Sequence, residues 1–304
     1  MRNQVAFIVT FLFALTACSG QGEKHTNSKK NYSEIDLSSN IDDRRIFYRF
    51  PAPNDIINYI KTEKFVYQKE ILNPLTNANK YIDTRLQHFN LGVYSTDFAY
   101  ITVFKTLSDA SDYFKSMETL AYQTGLSSVF DDKLRKRVQS NEANIDSLSN
   151  IARESFNSMV INLTAIGNEK QLAIIFAGGY VEILYIALSQ IDDFSKDNVL
   201  LRKVYDQRYG LENLTQFISN FKDDPWIYSL NKKLYTILDA FNLVEEKILN
   251  ESIPVKQQAG EFKLSGGRVE VLITNSNFQL LKDRVFDIRK NYTNPLGATE
   301  ATWK

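Results

Sequence analysis

The stretch LAIIFAGGYVEILYIAL, Leu172 to Leu188, carries a single charge, Glu182, and is apolar on nearly every face of a helical projection. A helix that is hydrophobic all round lies either inside a protein or inside a membrane. As a membrane span it is slightly short, since ~20 residues are needed to cross ~30 Å of hydrocarbon. Glu182 near its middle would also be costly there. A third reading, a glycine turn that cradles phosphate, needs G-x-G-x-x-G or a P-loop, and Gly178-Gly179 fits neither. The favoured reading is a central core helix. Each glycine costs about 0.8–1 kcal/mol in a helix relative to alanine. Close approach of a neighbouring helix backbone would justify Gly178 and Gly179.

Amphipathic segments surround this stretch. Apolar residues recur at Ile82, Leu86, Phe89, Val93, Tyr100 and Phe104, with Asp97 interrupting the face. Ser108 is read as the cap of a helix carrying Ala110, Tyr113, Met117, Leu120 and Ala121, closed by Gly125. Asp131 to Gln139 reads as a short exposed helix. Ile145, Leu148, Ala152, Phe156, Met159, Leu163 and Ile166 mark a long one, closed by Gly167. Ile227, Leu230, Leu234, Ile237, Phe241, Val244 and Ile248 alternate spacings of three and four, with Pro225 in the first turn and Asp223-Asp224 as caps. Phe278, Leu281, Val285, Ile288 and Tyr292 repeat that rhythm. Between the last two, Glu261 to Ile273 alternates around Gly266-Gly267, which predicts a β-hairpin. The expected architecture is all-α: a multi-helix bundle or αα-hairpin array around a central apolar helix, with a small hairpin near the C-terminus.

The N-terminus has a different character. Arg2 precedes the apolar run Val5 to Leu15, and small residues follow at Thr16 and Ala17, the plan of a secretory signal. Leu15-Thr16-Ala17-Cys18 resembles the lipobox of bacterial lipoproteins. That resemblance implies a diacylglyceryl group on Cys18, cleavage before it, and anchorage to a membrane. Ser19 in the next position resembles the outer-membrane sorting pattern. Cys18 is the only cysteine, so no internal disulfide is available. The expected layout is a signal at 1–17, a flexible tether at 18–45, an all-α domain at 46–250, and a hairpin with a C-terminal helix packing on it at 251–304.

Composition excludes several classes. Lys plus Arg and Asp plus Glu both number 36, so no strong field points to nucleic acid. With one cysteine and two histidines, His25 and His88, a zinc site of the usual donors has too few ligands, and neither a metal nor a cofactor is expected. Only 12 glycines and 6 prolines disfavour a turn-rich all-β fold. Neither a G-x-S-x-G elbow nor an alternating-aspartate calcium loop occurs.

Two acids, Asp97 and Glu182, are set in the most apolar surroundings. A buried carboxylate must pair, hydrogen-bond or hold a proton. Lys80, Arg85, Tyr94 and Ser95 are the expected partners. The plain reading is a satisfied structural network. The sharper one is a pocket of perturbed carboxylates that binds a ligand or hydrolyses a bond; no catalytic residue can be assigned from spacing.

The segments Leu72-Asn73-Pro74, Asn77-x-x-Lys80-Tyr81, Leu91-Gly92-Val93-Tyr94-Ser95-x-Asp97 and Ala177-Gly178-Gly179-Tyr180-Val181-Glu182 resemble a group of uncharacterised helical lipoproteins of Bacteroidetes-type bacteria. The resemblance spans most of residues 46–290 and implies a fold and a location but no catalytic roles. The expectation is a lipid-anchored envelope protein that binds a protein partner or a small ligand. The alternative is an envelope hydrolase using Asp97 and Glu182.

Overall fold

The computed structural model describes residues 54–63, 65–141, 143–195, 198–249 and 268–295. The expected signal, the tether with Cys18, and the Gly266-Gly267 turn lie outside these residues. The described chain is all-α apart from one strand pair. Its helices are α1 (Asn54–Thr62), α2 (Thr84–Val103), α3 (Leu107–Gln123), α4 (Asp132–Ser140), α5 (Ile145–Ala165), α6 (Glu169–Ser189), α7 (Val199–Tyr205), α8 (Arg208–Ser219), α9 (Pro225–Asn242) and α10 (Asn275–Thr293). Two 3-10 turns, Lys69–Ile71 and Leu75–Asn77, lead into α2.

The stretch that opened the reading is α6, and it is the central helix. By length and composition it could cross a membrane, yet 78% of its most apolar window is buried inside the fold. It packs against α2, α5, α7, α8 and α10, most extensively against α2. Helix α2 is itself buried almost all round, although it carries Gln87, His88, Asn90, Thr96 and Asp97. The core is therefore a pair of helices, one apolar and one studded with polar groups. Full burial of each Leu, Ile or Phe at this interface contributes roughly 1.5–3 kcal/mol.

Three glycines set the spacing of that pair. A Cβ on Gly178 would collide with the carbonyl oxygen of Phe89 and come within 2.8 Å of its carbon. A Cβ on Gly92 would overlap the carbonyl oxygen of Ile175 and lie 2.7 Å from the amide nitrogen of Gly179. Gly179 is less confined: its Cβ would meet Thr96 Oγ1 at 3.2 Å. The close-packing role expected for Gly178 and Gly179 is thus carried most strictly by Gly178 and Gly92. Thr96 Oγ1 also donates across the crossing to the Gly179 carbonyl at 3.3 Å.

Helix ends follow local chemistry. Asp83, Asp131, Asn144, Asn198 and Asp224 each accept backbone N–H bonds in the first turn of the helix they precede. Helices α3 and α5 close on Gly125 (φ 77°) and Gly167 (φ 71°). The Leu126 amide then reaches the Ala121 carbonyl at 2.8 Å and the Asn168 amide reaches the Leu163 carbonyl at 2.8 Å.

Three expectations are corrected. Ser108 is not a cap: α3 begins at Leu107, and the preceding turn through Lys105 (φ 57°) makes Thr106 the boundary residue. Ile82 is not on the buried face of α2, because it lies ahead of the Asp83 cap and is 93% exposed. The helix expected to run through Ile248 ends at Asn242. Ile248 belongs instead to β1 (Glu245–Leu249), which pairs antiparallel with β2 (Arg268–Leu272). The second arm of the expected hairpin is therefore a strand, paired with β1, while Glu261–Ser265 lie outside the described residues. Val244 is buried in either arrangement, so spacing alone could not place the helix end.

Candidate functional site

Asp97 on α2 and Glu182 on α6 meet in the core, each with no exposed surface. The cation beside them is Arg289 of α10. Its Nε donates to Glu182 Oε2 at 3.0 Å and its Nη2 to Glu182 Oε1 at 3.0 Å. Nη2 also donates to the Ile71 carbonyl at 3.0 Å. The guanidinium lies over the Tyr185 ring, 4.1 Å from its centroid. This is a bidentate arginine–carboxylate pair, the strong form of a charge-assisted bond.

Asp97 completes the centre. Its Oδ2 accepts from the Asn73 amide at 3.1 Å. Among the described residues no N–H or hydroxyl donates to Oδ1, and the group facing Asp97 is the Glu182 carboxylate. Burial and the adjacent negative charge of Glu182 hold the Asp97 carboxyl well above the usual range, with Arg289 opposing them. The arrangement is consistent when Asp97 keeps its proton and donates it to Glu182, leaving one buried anion against one buried cation.

Asn73 anchors the surrounding network. Its Nδ2 donates to Tyr81 Oη at 3.0 Å and to Asn90 Oδ1 at 3.1 Å, and its carbonyl accepts from Tyr113 Oη at 3.0 Å. Tyr81 Oη then donates to the Thr293 carbonyl at 2.7 Å, and Asn90 Nδ2 to the Tyr292 carbonyl at 2.9 Å. These last carbonyls of α10 have no intrahelical partner and are buried, so side chains of the α2 region replace water there.

The residues singled out in the sequence separate accordingly. Asp97 and Glu182 are brought together. Tyr94 is buried nearby, but its hydroxyl serves the Pro74 carbonyl at 2.7 Å. Ser95 spends its hydroxyl on the Leu91 carbonyl at 2.7 Å. Lys80 sits exposed in the turn before α2, and Arg85 is engaged with Asp83 and the Trp226 ring. Neither is the counter-ion. Arg289 was missed, although a signal existed: it falls on the apolar stripe of α10, four residues after Val285 and three before Tyr292. A cation on a buried stripe needs a buried anion.

Arg289 connects this centre to the surface. It lines a groove of about 890 Å³ that runs along α10. Leu280, Phe286 and Tyr185 form its apolar wall. Asp283, Asp287, Arg284 and Lys290 supply its charges. Neither Asp97 nor Glu182 lines it. Among the described residues no three His, Cys, Asp or Glu side chains gather as a metal site. Comparison with protein-family models, with curated proteins and with solved structures returned no match.

Proposed function

We propose that this chain is a lipid-anchored helical protein of the bacterial cell envelope, held through Cys18, that binds a ligand or partner in the groove along α10. The observation that supports binding is the groove itself, with an apolar wall, charges of both signs and an arginine fixed from behind. Support for the anchor is Leu15-Thr16-Ala17-Cys18 at the end of an apolar leader. Several acyl chains on one residue, at ~0.8 kcal/mol per buried methylene, make detachment negligible where one chain would be marginal.

The hydrolase alternative gains no support from the geometry. A catalytic carboxylate must touch its substrate. Both oxygens of Glu182 are held by Arg289, and Asp97 has no exposed surface. Their arrangement suits a structural centre.

Two measurements test the proposal. The Cys18→Ser variant should move from the detergent phase to the aqueous phase; unchanged partitioning removes the lipid anchor. A photoreactive residue in place of Arg284, irradiated in intact cells, should give a reproducible adduct by mass spectrometry. Its absence counts against a ligand in the groove.

A further inference from the structure

We propose that His88 is an acid-sensitive latch near the start of α2: uncharged, it lets α2 hold the end of α10, and protonated, it forces that hold to loosen. The inference does not depend on what the α10 groove binds.

His88 is 2% exposed. Its Nδ1 lies 2.7 Å from the Thr84 carbonyl. A carbonyl only accepts, so Nδ1 carries the hydrogen and, in the neutral ring, Nε2 carries a lone pair. Nε2 is buried and meets no hydrogen-bond partner among the described residues. Protonating it places both a charge and an unpaired N–H in the interior, the costliest kind of burial.

The surroundings do little to offset that cost. Asp83, at the start of the same helix, is the one charge among the described residues that acts on the ring, and it favours the imidazolium, as the Thr84 carbonyl does. Burial outweighs both and holds His88 below the usual histidine range. Arg85 is engaged by Asp83 and the Trp226 ring. The helices packed on α2 are α1, α3, α5, α6 and α10, and among their described residues none supplies a counter-ion to the ring.

The next two residues of α2 carry its ties to α10. The Phe89 ring stacks on Tyr292 with centroids 4.8 Å apart, and its carbonyl lies against Gly178. Asn90 Nδ2 donates to the Tyr292 carbonyl at 2.9 Å. A charged His88 must reach water, which displaces the first two turns of α2 and breaks these ties. The end of α10 is then freed where Thr293 lines the groove. The sign follows from the lowered folded-state value. His88 contributes its stability in full above its ordinary value of 6.5. That contribution falls with pH, by up to ~10-fold in the folding equilibrium per unit, until the ring protonates within the fold.

The test uses the purified full chain in detergent, without ligand. Only two histidines exist, so removing His25 with His25→Ala leaves His88 as the single imidazole signal in an NMR titration. It should titrate below 6.5. Hydrogen-exchange protection of the Asn291, Tyr292 and Thr293 amides, each corrected for intrinsic rate, should fall several-fold between pH 7 and pH 5. His88→Phe keeps a flat ring without a titrating nitrogen and should abolish that fall. If the phenyl ring packs poorly, His88→Asn, which keeps a donor for Thr84, serves in its place. A His88 signal that titrates at or above 6.5 overturns the proposal. So does protection at the end of α10 that responds to acid equally in parent and variant, or that does not respond in the parent.

Discussion

Arg289 grips Glu182 through two hydrogen bonds of 3.0 Å across 107 residues of sequence. Glu182 has no exposed surface and the arginine side chain is 12% exposed. Removing one partner of a buried pair leaves a stranded charge, at a cost of about 3–5 kcal/mol. Arg289→Met should therefore lower stability by that amount in urea unfolding. Adding Glu182→Gln should restore part of it, since an amide tolerates the interior better than an anion. Equal losses in the single and double variants would show that the pair is not coupled.

Asp97 predicts a pH dependence. Its folded-state pKa is raised above the ordinary 3.8 by burial and by Glu182. The folded chain holds a proton that the unfolded chain releases above that value. The stability it contributes is complete below about pH 3.8 and declines as pH rises, by at most ~1.4 kcal/mol per unit, until Asp97 itself ionises. Asp97→Asn keeps an acceptor for Asn73 and a donor for Glu182 without a titrating proton. The variant should be as stable as the parent or more so at pH 7, and the difference between them should grow from pH 5 to pH 8. A difference that stays flat over that range would mean Asp97 is ionised in the fold.

The glycine crossing predicts an order. Gly92→Ala and Gly178→Ala force a methyl into backbone atoms of the facing helix and should each cost upward of ~3 kcal/mol, at or beyond the top of the usual overpacking range. Gly179→Ala meets the Thr96 hydroxyl at 3.2 Å and the Gly92 carbonyl oxygen at 3.4 Å, an ordinary contact, and should cost less than either, whereas Gly179→Leu should be strongly destabilising. Thermal unfolding of the four variants gives the ranking, and Gly179→Ala falling below Gly178→Ala would contradict it.

Asp224 caps α9, accepting from the Trp226 and Ile227 amides at 3.0 and 3.2 Å while Lys170 bonds its second oxygen at 3.1 Å. Asp224→Ala should cost about 1 kcal/mol, and Asp224→Asn or Asp224→Ser should recover most of it. Lys170→Ala alone should change little, because that pair is solvent-exposed.

Which parts of this could be read in advance follows from range. Helices α5, α6, α9 and α10 announce themselves through apolar spacing, because burial of one face repeats every three to four residues. Asp131, Asp224, Gly125 and Gly167 mark ends of α4, α9, α3 and α5 through bonds made within a few residues. The segment from Val199 to Ser219 folds as α7 and α8 without having been assigned. The polar centre was half legible. Asp97 and Glu182 stood out as acids among apolar neighbours, but their counter-ion was sought at Lys80 and Arg85, close in sequence. Tertiary packing supplied Arg289 from a distant helix, and local spacing carries no record of such a choice. Gly92 likewise looked ordinary until α6 lay against it.

The tie between α10 and the α2 region also bears on how the chain is made. Synthesis is vectorial, so Glu182 leaves the ribosome long before Arg289 is translated, and Asn90 and Tyr81 wait still longer for the carbonyls of Tyr292 and Thr293. An early, compact intermediate would have to enclose an unmatched anion. Final consolidation is thus deferred until the closing helix arrives.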